Sequence, residues 1–316
     1  MRHPADWHAG PVQRVDVAIV GGGPAGLSAA LFLGRCCRQV VVIDAGENRN
    51  RQAAKIHGFL TRDGTPPPAL MAAARADLAN YPTVELRSGR VTAIDGTRGA
   101  FVVRTDTGAE LEARRVLLAT GVVDVVPGIE GLPELFGKSV HHCPHCDGYE
   151  YAGKPIAVYG QAGPGVEAVL SMLAWSDDVV LLTDARPLTA EDRSRCERLG
   201  VIVRDERVVR LDGRDGRLER IVFADGTALA RVALFLVAGQ REQSELAKQL
   251  GCELNADGVV VADEHEVTSV PGVYVAGDAS VGEQLVVVAA AQGAIAATKI
   301  HASLHEEDLV ARMNSR

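Results

Sequence analysis

Apolar and polar residues follow one another along the chain in blocks that predict two rounds of strand, glycine-rich turn and helix. Residues 15–20, VDVAIV, form a short β-branched run, and the apolar spacing changes to that of a helix directly after GGGPAG. Residues 39–46, QVVVIDAG, predict the next strand, which is apolar enough to be buried on both faces. A βαβ unit of about 30 residues with such strands belongs to a parallel sheet covered on both sides.

The segments that follow complete a first domain. Residues 65–82 predict a helix whose start is marked by prolines. Residues 84–96, 100–108 and 110–121 predict a three-stranded meander, and its last strand ends in LLATG. The first domain is therefore expected to combine a dinucleotide-type βαβ unit with a β-meander.

The second half of the chain repeats this arrangement. Residues 154–184 again predict strand, glycine-rich turn, helix and strand, and residues 201–239 predict a second meander. The C-terminal tail has the apolar pattern of the first domain again, with a strand in 272–280 and an apolar helix over 284–304. The predicted fold class is therefore α/β, with two Rossmann-like dinucleotide-binding domains of the three-layer ββα type, each with its own β-meander.

Because the C-terminal tail has the pattern of the first domain, we predict that the second domain is inserted into the first. We predict that residues 1–121 and 241–316 form one discontinuous domain of the dinucleotide-binding type. Residues 122–240 would then form a second domain of this type, inserted into the first. The joins are placed at LLATG and FLVAG, two buried strands that each end in small residues.

The first glycine loop has the spacing and the context of a dinucleotide-binding fingerprint. Gly21, Gly23 and Gly26 follow a predicted strand and open a predicted helix, and Asp44 ends the next strand. The first glycine permits the tight turn, the second lets the backbone approach a pyrophosphate, and the third lets helix and strand pack closely. The helix N-terminus faces the anion, and Asp44 is placed to accept hydrogen bonds from ribose hydroxyls. The simpler alternative is a glycine turn needed only for close packing.

NAD and FAD share this fingerprint, and the tail of the chain favours FAD. The segment GVYVAGDAS, residues 272–280, places an apolar strand before a Gly-Asp pair and a long apolar helix. In flavoproteins with two dinucleotide domains, an aspartate at this place holds the ribityl chain of the flavin. The simpler alternative for Asp278 is an ordinary turn residue after a strand.

The segments VAIVGGGPAGLSAA, LLATG, CPHCDGYE and VYVAGDAS come in the order and spacing of one family. The chain resembles the low-molecular-weight thioredoxin reductases over nearly its whole length. The resemblance implies a homodimeric, FAD-dependent oxidoreductase. Residues 1–121 and 241–316 would form its FAD-binding domain, and residues 122–240 an NAD(P)-binding-like domain that carries the CxxC motif as a redox-active disulfide. The fingerprint and the resemblance together give these candidate FAD-binding residues: Gly21, Gly23, Pro24, Ala25, Gly26, Asp44, Gly121, Gly277, Asp278 and Gln284.

Residues 141–150, HHCPHCDGYE, place two cysteines and three histidines in six positions, which suggests three kinds of site. A zinc site needs four ligands, but six consecutive positions rarely surround one tetrahedral ion, and no second CxxC or HxxxH follows. We therefore predict no metal. A structural disulfide is disfavoured in a reducing cytosol. A redox dithiol is favoured, because the first domain is predicted to bind a flavin that takes up two electrons.

The resemblance also assigns roles within this motif. It implies that Cys146 faces the flavin and that Cys143 exchanges with the substrate sulfur through a mixed disulfide. Asp147 matches the acid/base of the family's CxxCD pattern and would carry the proton that thiolate formation releases. His145 departs from the small residues usual between the cysteines. It either stabilises a thiolate or is an exposed spacer, and both interpretations stay open.

Glutathione-reductase-like enzymes instead carry their redox pair just after the first glycine loop. Here that region holds only the adjacent Cys36 and Cys37, which we predict to be core residues in the middle of a helix, since vicinal disulfides are rare and strained. The CPHC motif is therefore the candidate redox pair.

The second glycine loop departs from the family pattern, so that binding of NAD(P)H is doubtful. Gly160 and Gly165 are kept, but Ala162 stands at the middle glycine position, where a Cβ obstructs the approach to a pyrophosphate. Thioredoxin reductases follow the next strand with a histidine and paired arginines that clamp the 2′-phosphate of NADPH. Here Asp184 occupies that region with Arg186 nearby. Asp184 would repel a 2′-phosphate. Either Asp184 binds the ribose hydroxyls of NADH, or the domain binds no nicotinamide nucleotide at all.

Three functions are compatible with these residues. The first is an FAD-dependent oxidase of a small dithiol with O2 as acceptor, because the lost clamp and WSDDVVLLTD are similar to relatives that oxidise dithiols such as those of gliotoxin or holomycin. The second is an NAD(P)H-dependent reductase of thioredoxin or a related disulfide. The third is a non-catalytic flavin redox sensor, which the intact CxxC-Asp set disfavours.

Composition narrows the set of partners. The 316 residues carry a formal net charge of -8, which disfavours nucleic acid or an anionic membrane as the main partner. No apolar run is expected to approach the roughly 20 residues that span a bilayer. The N-terminal MRHPADWHAGPVQR has no apolar core of a signal peptide, so that a cytoplasmic location is expected.

Overall fold

The computed structural model describes residues 12–237 and 239–315. The chain divides into two compact units. The first unit comprises Met1–Arg51, Pro68–Val123 and Arg241–Arg316, and the second comprises Gln52–Pro67 and Asp124–Gln240. Residues 52–67, which the sequence-based boundaries place in the first domain, group with the second unit. The N-terminal residues 1–11, for which no signal peptide is expected, lie outside the described residues.

Strands and helices are numbered along the chain. The strands are β1 (Gln13–Val20), β2 (Val40–Asp44), β3 (Val84–Ser88), β4 (Val91–Thr97), β5 (Ala100–Thr105), β6 (Glu110–Leu118), β7 (Val122–Val125), β8 (Val140–His141), β9 (Ile156–Tyr159), β10 (Val179–Leu182), β11 (Ile202–Arg204), β12 (Val208–Arg214), β13 (Arg217–Phe223), β14 (Ala228–Ala230), β15 (Ala233–Leu236), β16 (Gly239–Glu242) and β17 (Val273–Val275). The helices are α1 (Pro24–Arg35), α2 (Pro67–Leu78), α3 (Leu132–Leu135), α4 (Pro144–Asp147), α5 (Ala162–Met172), α6 (Ala190–Arg198), α7 (Leu246–Gln249) and α8 (Val286–Asn314).

The first unit is built on one large mixed sheet. Its strand order is β3-β2-β1-β6-β5-β4, and β17 pairs with β6. The β-branched residues of β1 and β2 pair in parallel register, Val17 with Val40 through Val20 with Ile43, and they are almost fully buried. Parallel strands buried on both faces require helices on both sides, which is why the sequence of β1 is a continuous apolar run.

The second unit repeats this plan with a smaller sheet. Its parallel strands have the order β11-β10-β9-β15-β8, and β12, β13 and β14 form a separate antiparallel sheet. Two apolar clusters form its core around these sheets. The two sheets, each combined with a meander, confirm the predicted α/β class with two Rossmann-like units. The last pair, β7 with β16, forms a two-stranded sheet.

The predicted first strand of each meander is wrong in the same way in both units. Residues 84–96 split into β3 and β4, and residues 201–213 split into β11 and β12. In each case the first piece extends the parallel sheet, since β3 pairs with β2 and β11 pairs with β10. Residues 228–239 likewise split, into β14 and β15 and the first residue of β16. The sequence runs are apolar enough for one long strand, but the chain changes sheets within them.

The placement of Cys36 and Cys37 in the middle of a helix is also wrong. Helix α1 ends at Arg35, Cys36 caps it, and the amide of Cys37 donates to Gly34 O over 3.0 Å. Cys37 has a φ of 56° and is exposed, so that it closes the helix in the left-handed conformation. Neither residue belongs to the buried core.

Helix α8 packs along α1. A Cβ added to Gly293 would lie 2.0 Å from Ala25 O, so that only glycine allows this approach. Near its C-terminus, α8 provides Glu307, whose Oε1 lies 2.6 Å from Nη2 of Arg115, a side chain with no exposed surface. Asp308 of the same helix pairs with Arg114 and Arg38 at 2.8 and 2.5 Å.

By length and composition, α8 would suffice to cross a membrane, which makes the expectation of no apolar run of that length wrong. Its most apolar 18-residue window has a mean hydropathy of 1.2, and 28% of that window is buried. Core helices of soluble proteins pass the same test, and one such helix is weak evidence. The contacts of α8 with α1 and with the arginines assign this helix to the fold of the first unit.

Candidate active site

The first glycine loop combines tight packing with an open space in front of α1. Gly21 has a φ of +107°, and a Cβ there would lie 2.2 Å from Ala119 O. A Cβ on Gly26 would lie 2.0 Å from Gly21 O. At Gly23, by contrast, a Cβ would meet no atom within 4 Å. The loop therefore offers a cradle at Gly23 that a side chain would fill.

The N-terminus of α1 lies at this cradle. Gly23 is the N-cap and no side chain caps the helix, while Pro24 occupies the first helical turn. The first-turn amides of a helix that lacks a side-chain cap are available to a ligand, and the helix dipole favours an anion there. Gly277, with a φ of +79°, approaches Ala25 so closely that an added Cβ would lie 3.0 Å from the Ala25 Cβ.

Asp44 lies at the end of β2 beside this loop. Its carboxylate accepts from Gly46 N at 3.2 Å and from Arg75 Nη2 at 3.0 Å. A Cβ on Gly22 would lie 2.6 Å from Asp44 Oδ2. Gly22 is therefore required for the aspartate to close on the loop. The GxGxxG pattern skips Gly22, and only the run of three glycines hinted at its role.

Asp278 and Gln284 are joined by an arginine that the sequence did not single out as a site residue. Arg49 Nη1 donates to Asp278 Oδ2 at 3.0 Å and to Gln284 Oε1 at 2.7 Å. The Arg49 side chain is 11% exposed. Gly121 follows β6 with a φ of +69° and has open space where a Cβ would stand. The first unit thus places its candidate cofactor residues at the loop ends of β1, β2, β6 and β17.

These features fit a dinucleotide such as FAD. The cradle at Gly23 suits the pyrophosphate, because no side chain fills it and the amides of α1 lie behind it. The Asp44 carboxylate suits the hydroxyls of a ribose. Arg49, Asp278 and Gln284 supply a charged and polar group of side chains for the rest of the molecule.

In the second unit, Cys143 and Cys146 are joined in a disulfide with Cα atoms 5.3 Å apart. Cys143 is the N-cap of α4, and its Sγ accepts from the backbone amide of Cys146 at 3.2 Å. This N–H group also stabilises a thiolate on Cys143 when the disulfide opens. Within residues 12–237 and 239–315, no group of three or more His, Cys, Asp or Glu side chains is arranged to hold a metal ion.

The structure brings Asp147 next to a histidine that the sequence suggested only as a zinc ligand. His141 Nδ1 lies 3.3 Å from Asp147 Oδ2, and the His141 side chain is 6% exposed. On its other side, His141 Nε2 lies 3.0 Å from the hydroxyl of Tyr151, which donates to Lys138 O at 3.0 Å. Burial and then the charge of Asp147 raise the pKa of Tyr151 to about 12.

The contact with Tyr151 favours the His141 tautomer that carries its proton on Nε2. Because the Tyr151 hydroxyl donates to Lys138 O, its oxygen accepts from His141 Nε2–H. The other ring nitrogen of His141, Nδ1, faces the Asp147 carboxylate, and Asp147 directly follows Cys146 in the sequence.

The other two histidines of the motif have different neighbours. His145 is exposed and its ring meets Trp175 edge-on, with ring centroids 5.9 Å apart. His142 Nδ1 lies 3.9 Å from Asp124 Oδ2, and its ring stacks on Phe136. The role of His145 as a thiolate-stabilising group therefore stays a prediction.

The second glycine loop keeps its packing but not its open middle position. A Cβ on Gly165 would lie 2.5 Å from Gly160 C, as close packing of helix and strand requires. Ala162 begins α5 with a φ of 46°, in the left-handed region that glycine occupies without strain. Open space for a Cβ occurs one residue later, at Gly163.

Groups of the protein itself bind Asp184. Its Oδ2 accepts from the Tyr159 hydroxyl at 2.7 Å, and its Oδ1 accepts from Val208 N at 2.9 Å. Burial and this hydrogen bond raise the pKa of Tyr159, which keeps the hydroxyl a donor. The Arg186 guanidinium donates to Gln161, the N-cap of α5. The aspartate considered for a ribose and the arginine nearest to it thus both have partners within the second unit.

Comparison with known proteins agrees with this geometry. The sequence profile of the pyridine nucleotide-disulphide oxidoreductase family matches residues 15–293. The chain is 31% identical to a probable thioredoxin reductase of Arthroderma benhamiae, over 97% of this chain and 84% of that protein. It is similar to the solved structure of a putative thioredoxin reductase, TrxB, of Bacillus anthracis, with 32% identity, a TM-score of 0.88, and coverage of 93% and 99% of the two chains. It is also similar to the structure of HlmI, with 37% identity, a TM-score of 0.92, and coverage of 97% and 98%.

The profile match covers most of the chain, and the relatives align over nearly their whole lengths. The cradle in the first unit and the CxxC disulfide in the second are the two parts that such an enzyme needs. The chain therefore belongs to the pyridine nucleotide-disulphide oxidoreductase family, as a thioredoxin-reductase-like, FAD-dependent disulfide oxidoreductase.

Proposed function

We propose that this enzyme oxidises a small dithiol through the Cys143–Cys146 disulfide and passes the electrons to O2, which leaves as hydrogen peroxide. The observation that carries the proposal is the position of Asp184, which follows β10 and is bound by Tyr159 and Val208. A nicotinamide nucleotide would have to displace these hydrogen bonds. A dithiol needs no such site, because it delivers its electrons directly to the disulfide.

The side chains around the disulfide suit this direction of reaction. A substrate thiolate attacks one sulfur of the disulfide, and the other sulfur leaves as a thiolate. We assign Cys143 as the attacked residue, as the family resemblance implies. The hydrogen bond from the Cys146 amide to its Sγ would stabilise the Cys143 thiolate that is released when the mixed disulfide is resolved. The His141–Asp147 pair takes up or returns one proton as thiols become thiolates. FAD, when bound, supplies a two-electron acceptor for the reduced cysteines and a donor for oxygen.

Anaerobic stopped-flow mixing tests the proposal. Dithiothreitol should bleach the flavin absorbance of the purified protein, and subsequent mixing with oxygen should restore it with one peroxide released per dithiol oxidised. NADPH should bleach the flavin poorly. Its affinity should be on the order of a thousandfold below that for an enzyme with the arginine clamp, since repulsion by Asp184 replaces a charge-assisted phosphate contact. NADH should also bleach it slowly, because Asp184 is already bound within the unit.

Fast bleaching by micromolar NADPH without any dithiol would overturn the oxidase direction. A Cys143→Ser variant serves as the control that dithiol electrons pass through the disulfide. Dithiothreitol should no longer bleach the flavin of this variant at the rate of the wild type.

The second candidate function is an NAD(P)H-dependent reductase of thioredoxin or a related disulfide. The names of the relatives in Arthroderma benhamiae and Bacillus anthracis favour it. The same stopped-flow experiment separates the two directions, because a reductase takes its electrons from the nucleotide and an oxidase takes them from the dithiol.

We also propose that the protein is a homodimer and acts in the cytoplasm. Exposed apolar side chains on α1 and α8, namely Phe32, Val287 and Ile295, support a self-association surface. Sedimentation equilibrium of the FAD-loaded protein tests the assembly, and a mass of one chain would refute it. Fractionation of the producing cells tests the location.

A further inference from the structure

A cavity in the second unit begins beside the redox disulfide. Its volume is about 250 Å³. Two of the residues that line it, His142 and Pro144, flank Cys143 in the sequence. The cavity extends from there to α5 and to the end of β15. A molecule bound in it would therefore lie next to the sulfur that we assign to substrate exchange.

The walls of the cavity are apolar. Helix α5 contributes Ala168 and Met172, and β15 and the residue after it contribute Phe235 and Val237. The polar members of the described lining are His142 and Gln240, and none of the described lining residues is Asp, Glu, Lys or Arg. Transfer of a charged ligand into such surroundings is costly, whereas an apolar ligand gains from burial.

The size of the cavity limits its occupant. Pockets for drug-sized ligands measure roughly 300–1,000 Å³, so that this one suits a smaller, compact molecule. A folded protein such as a thioredoxin cannot enter it, and a complete dinucleotide exceeds it. Because His142 and Pro144, which line the cavity, flank Cys143 in the sequence, an occupant that carries sulfur would be placed to react there.

We propose that this cavity binds the substrate of the disulfide, and that the substrate is a compact, uncharged, predominantly apolar dithiol. The proposal rests on the proposed function and specifies its substrate class. One ligand thiolate forms a bond to Cys143 Sγ while the Cys143–Cys146 bond breaks and Cys146 leaves as a thiolate. The second ligand thiolate then attacks the ligand sulfur of this mixed disulfide and releases Cys143. The ligand loses two electrons and two protons, and the enzyme disulfide becomes two thiols.

Two valines that flank β15 provide a matched pair of variants. Val237 lines the cavity and is 37% exposed, whereas Val232 does not line it and is 36% exposed. Val237→Trp should fill the cavity, and Val232→Trp should leave it open. Because both positions are partly exposed, a larger side chain can be accommodated at each without disruption of the core.

The experiment compares an apolar and a charged dithiol as electron donors to the FAD-loaded enzyme. The probes are benzene-1,2-dimethanethiol and meso-2,3-dimercaptosuccinate. The wild type should prefer the apolar probe, and Val237→Trp should raise the KM for that probe about tenfold or more while its KM for the charged probe stays the same. Val232→Trp should behave as the wild type. Ala168→Phe fills the cavity from α5 and should repeat the result of Val237→Trp.

The failures of the two proposals are distinguishable. If neither probe nor dithiothreitol reduces the wild type, the proposed function fails, and the substrate class fails with it. If the probes reduce the wild type but Val237→Trp and Ala168→Phe leave both KM values unchanged, the cavity is not the substrate site although the proposed function stands. Competition between NADH and the apolar probe that both variants abolish would assign the cavity to a nicotinamide ring and would overturn the proposal.

Discussion

In the first glycine loop a Cβ on Gly26 would lie 2.0 Å from Gly21 O, and in the second a Cβ on Gly165 would lie 2.5 Å from Gly160 C. Both loops therefore need glycine at their first and last positions for the close packing of helix on strand. The loops differ at the middle position, where Gly23 has open space and Ala162 carries a side chain.

Asp44, at the end of β2, and Asp184, just after β10, differ in a similar way. Asp44 is bound by Arg75 and the Gly46 amide, at the edge of an open cradle. Asp184 is bound by the Tyr159 hydroxyl and the Val208 amide, which belong to its own unit's strands. The packing positions of a glycine loop thus follow from the fold, whereas the positions that face a ligand vary separately. The presence of a GxGxxG motif alone does not show whether the positions that face a ligand are suited to bind one.

Substitution of the middle position should have the largest effect. Gly23→Leu should fill the cradle and weaken FAD binding about ten- to hundredfold, because overpacking costs roughly 1–3 kcal/mol. Ala162→Leu, its counterpart in the second unit, should leave the FAD content unchanged. Titration of the apoproteins with FAD measures both affinities, with circular dichroism as a check on folding. An unchanged FAD dissociation constant in Gly23→Leu would contradict the assignment of the first loop.

Removal of the two aspartates should give smaller effects of different kinds. Asp184→Ala leaves the Tyr159 hydroxyl and the Val208 amide without their acceptor, so that the free energy of unfolding should fall by about 1–3 kcal/mol. FAD affinity should stay the same in this variant. Asp44→Ala should instead lower FAD affinity by about tenfold or more. Urea denaturation and FAD titration separate the two outcomes, and equal loss of FAD in both variants would refute the contrast.

A third contrast between the units concerns the pH dependence of stability. Burial raises the pKa of Glu242, in the first unit, from 4.5 to about 7. The folded chain therefore keeps this proton at pH values where the unfolded chain has lost it, and the free energy of unfolding should fall as the pH rises from about 4.5 to about 7. In the second unit, hydrogen-bonded ion pairs with arginines lower the pKa of Glu167 and Asp212, so their contribution has the opposite sign and is lost as the pH falls.

Glu242→Gln should flatten the fall in stability between about pH 4.5 and about pH 7 and should raise the melting temperature at neutral pH. Glu253→Gln, an exposed substitution in the same unit, is the matched control. Thermal unfolding over this pH range checks the prediction. An unchanged pH profile in Glu242→Gln would show that another group is responsible.

Local patterns predicted the parts of the fold that depend on local spacing. The βαβ units and the glycines at 21, 23 and 26 follow from apolar periodicity and from turn chemistry within a few residues. The split of residues 84–96 into β3 and β4 could not be predicted in this way, because an apolar strand has the same sequence character in either sheet. The end of α1 before Cys36 was missed for a related reason, since a cysteine, Cys37, and not a glycine occupies the left-handed position that ends the helix.

The site was predicted in part. Spacing and resemblance identified the cysteines and Asp147 as candidates, and their roles remain predictions. Contacts between distant segments carried no local signal: Arg49 meets Asp278 across 229 positions. His141 was visible in the sequence, but its contact with Asp147 depends on the turn through α4, and only the structure shows it.

The buried ion pair between Arg115 and Glu307 has a consequence for the order of synthesis. Arg115 lies in β6, at the centre of the first sheet, and its guanidinium has no exposed surface. Its carboxylate partner is translated after the whole of the second unit. A buried guanidinium without its partner is strongly unfavourable. Synthesis of the first unit therefore starts before that of the second, but its fold is completed only when α8 emerges from the ribosome, after the inserted second unit has been made.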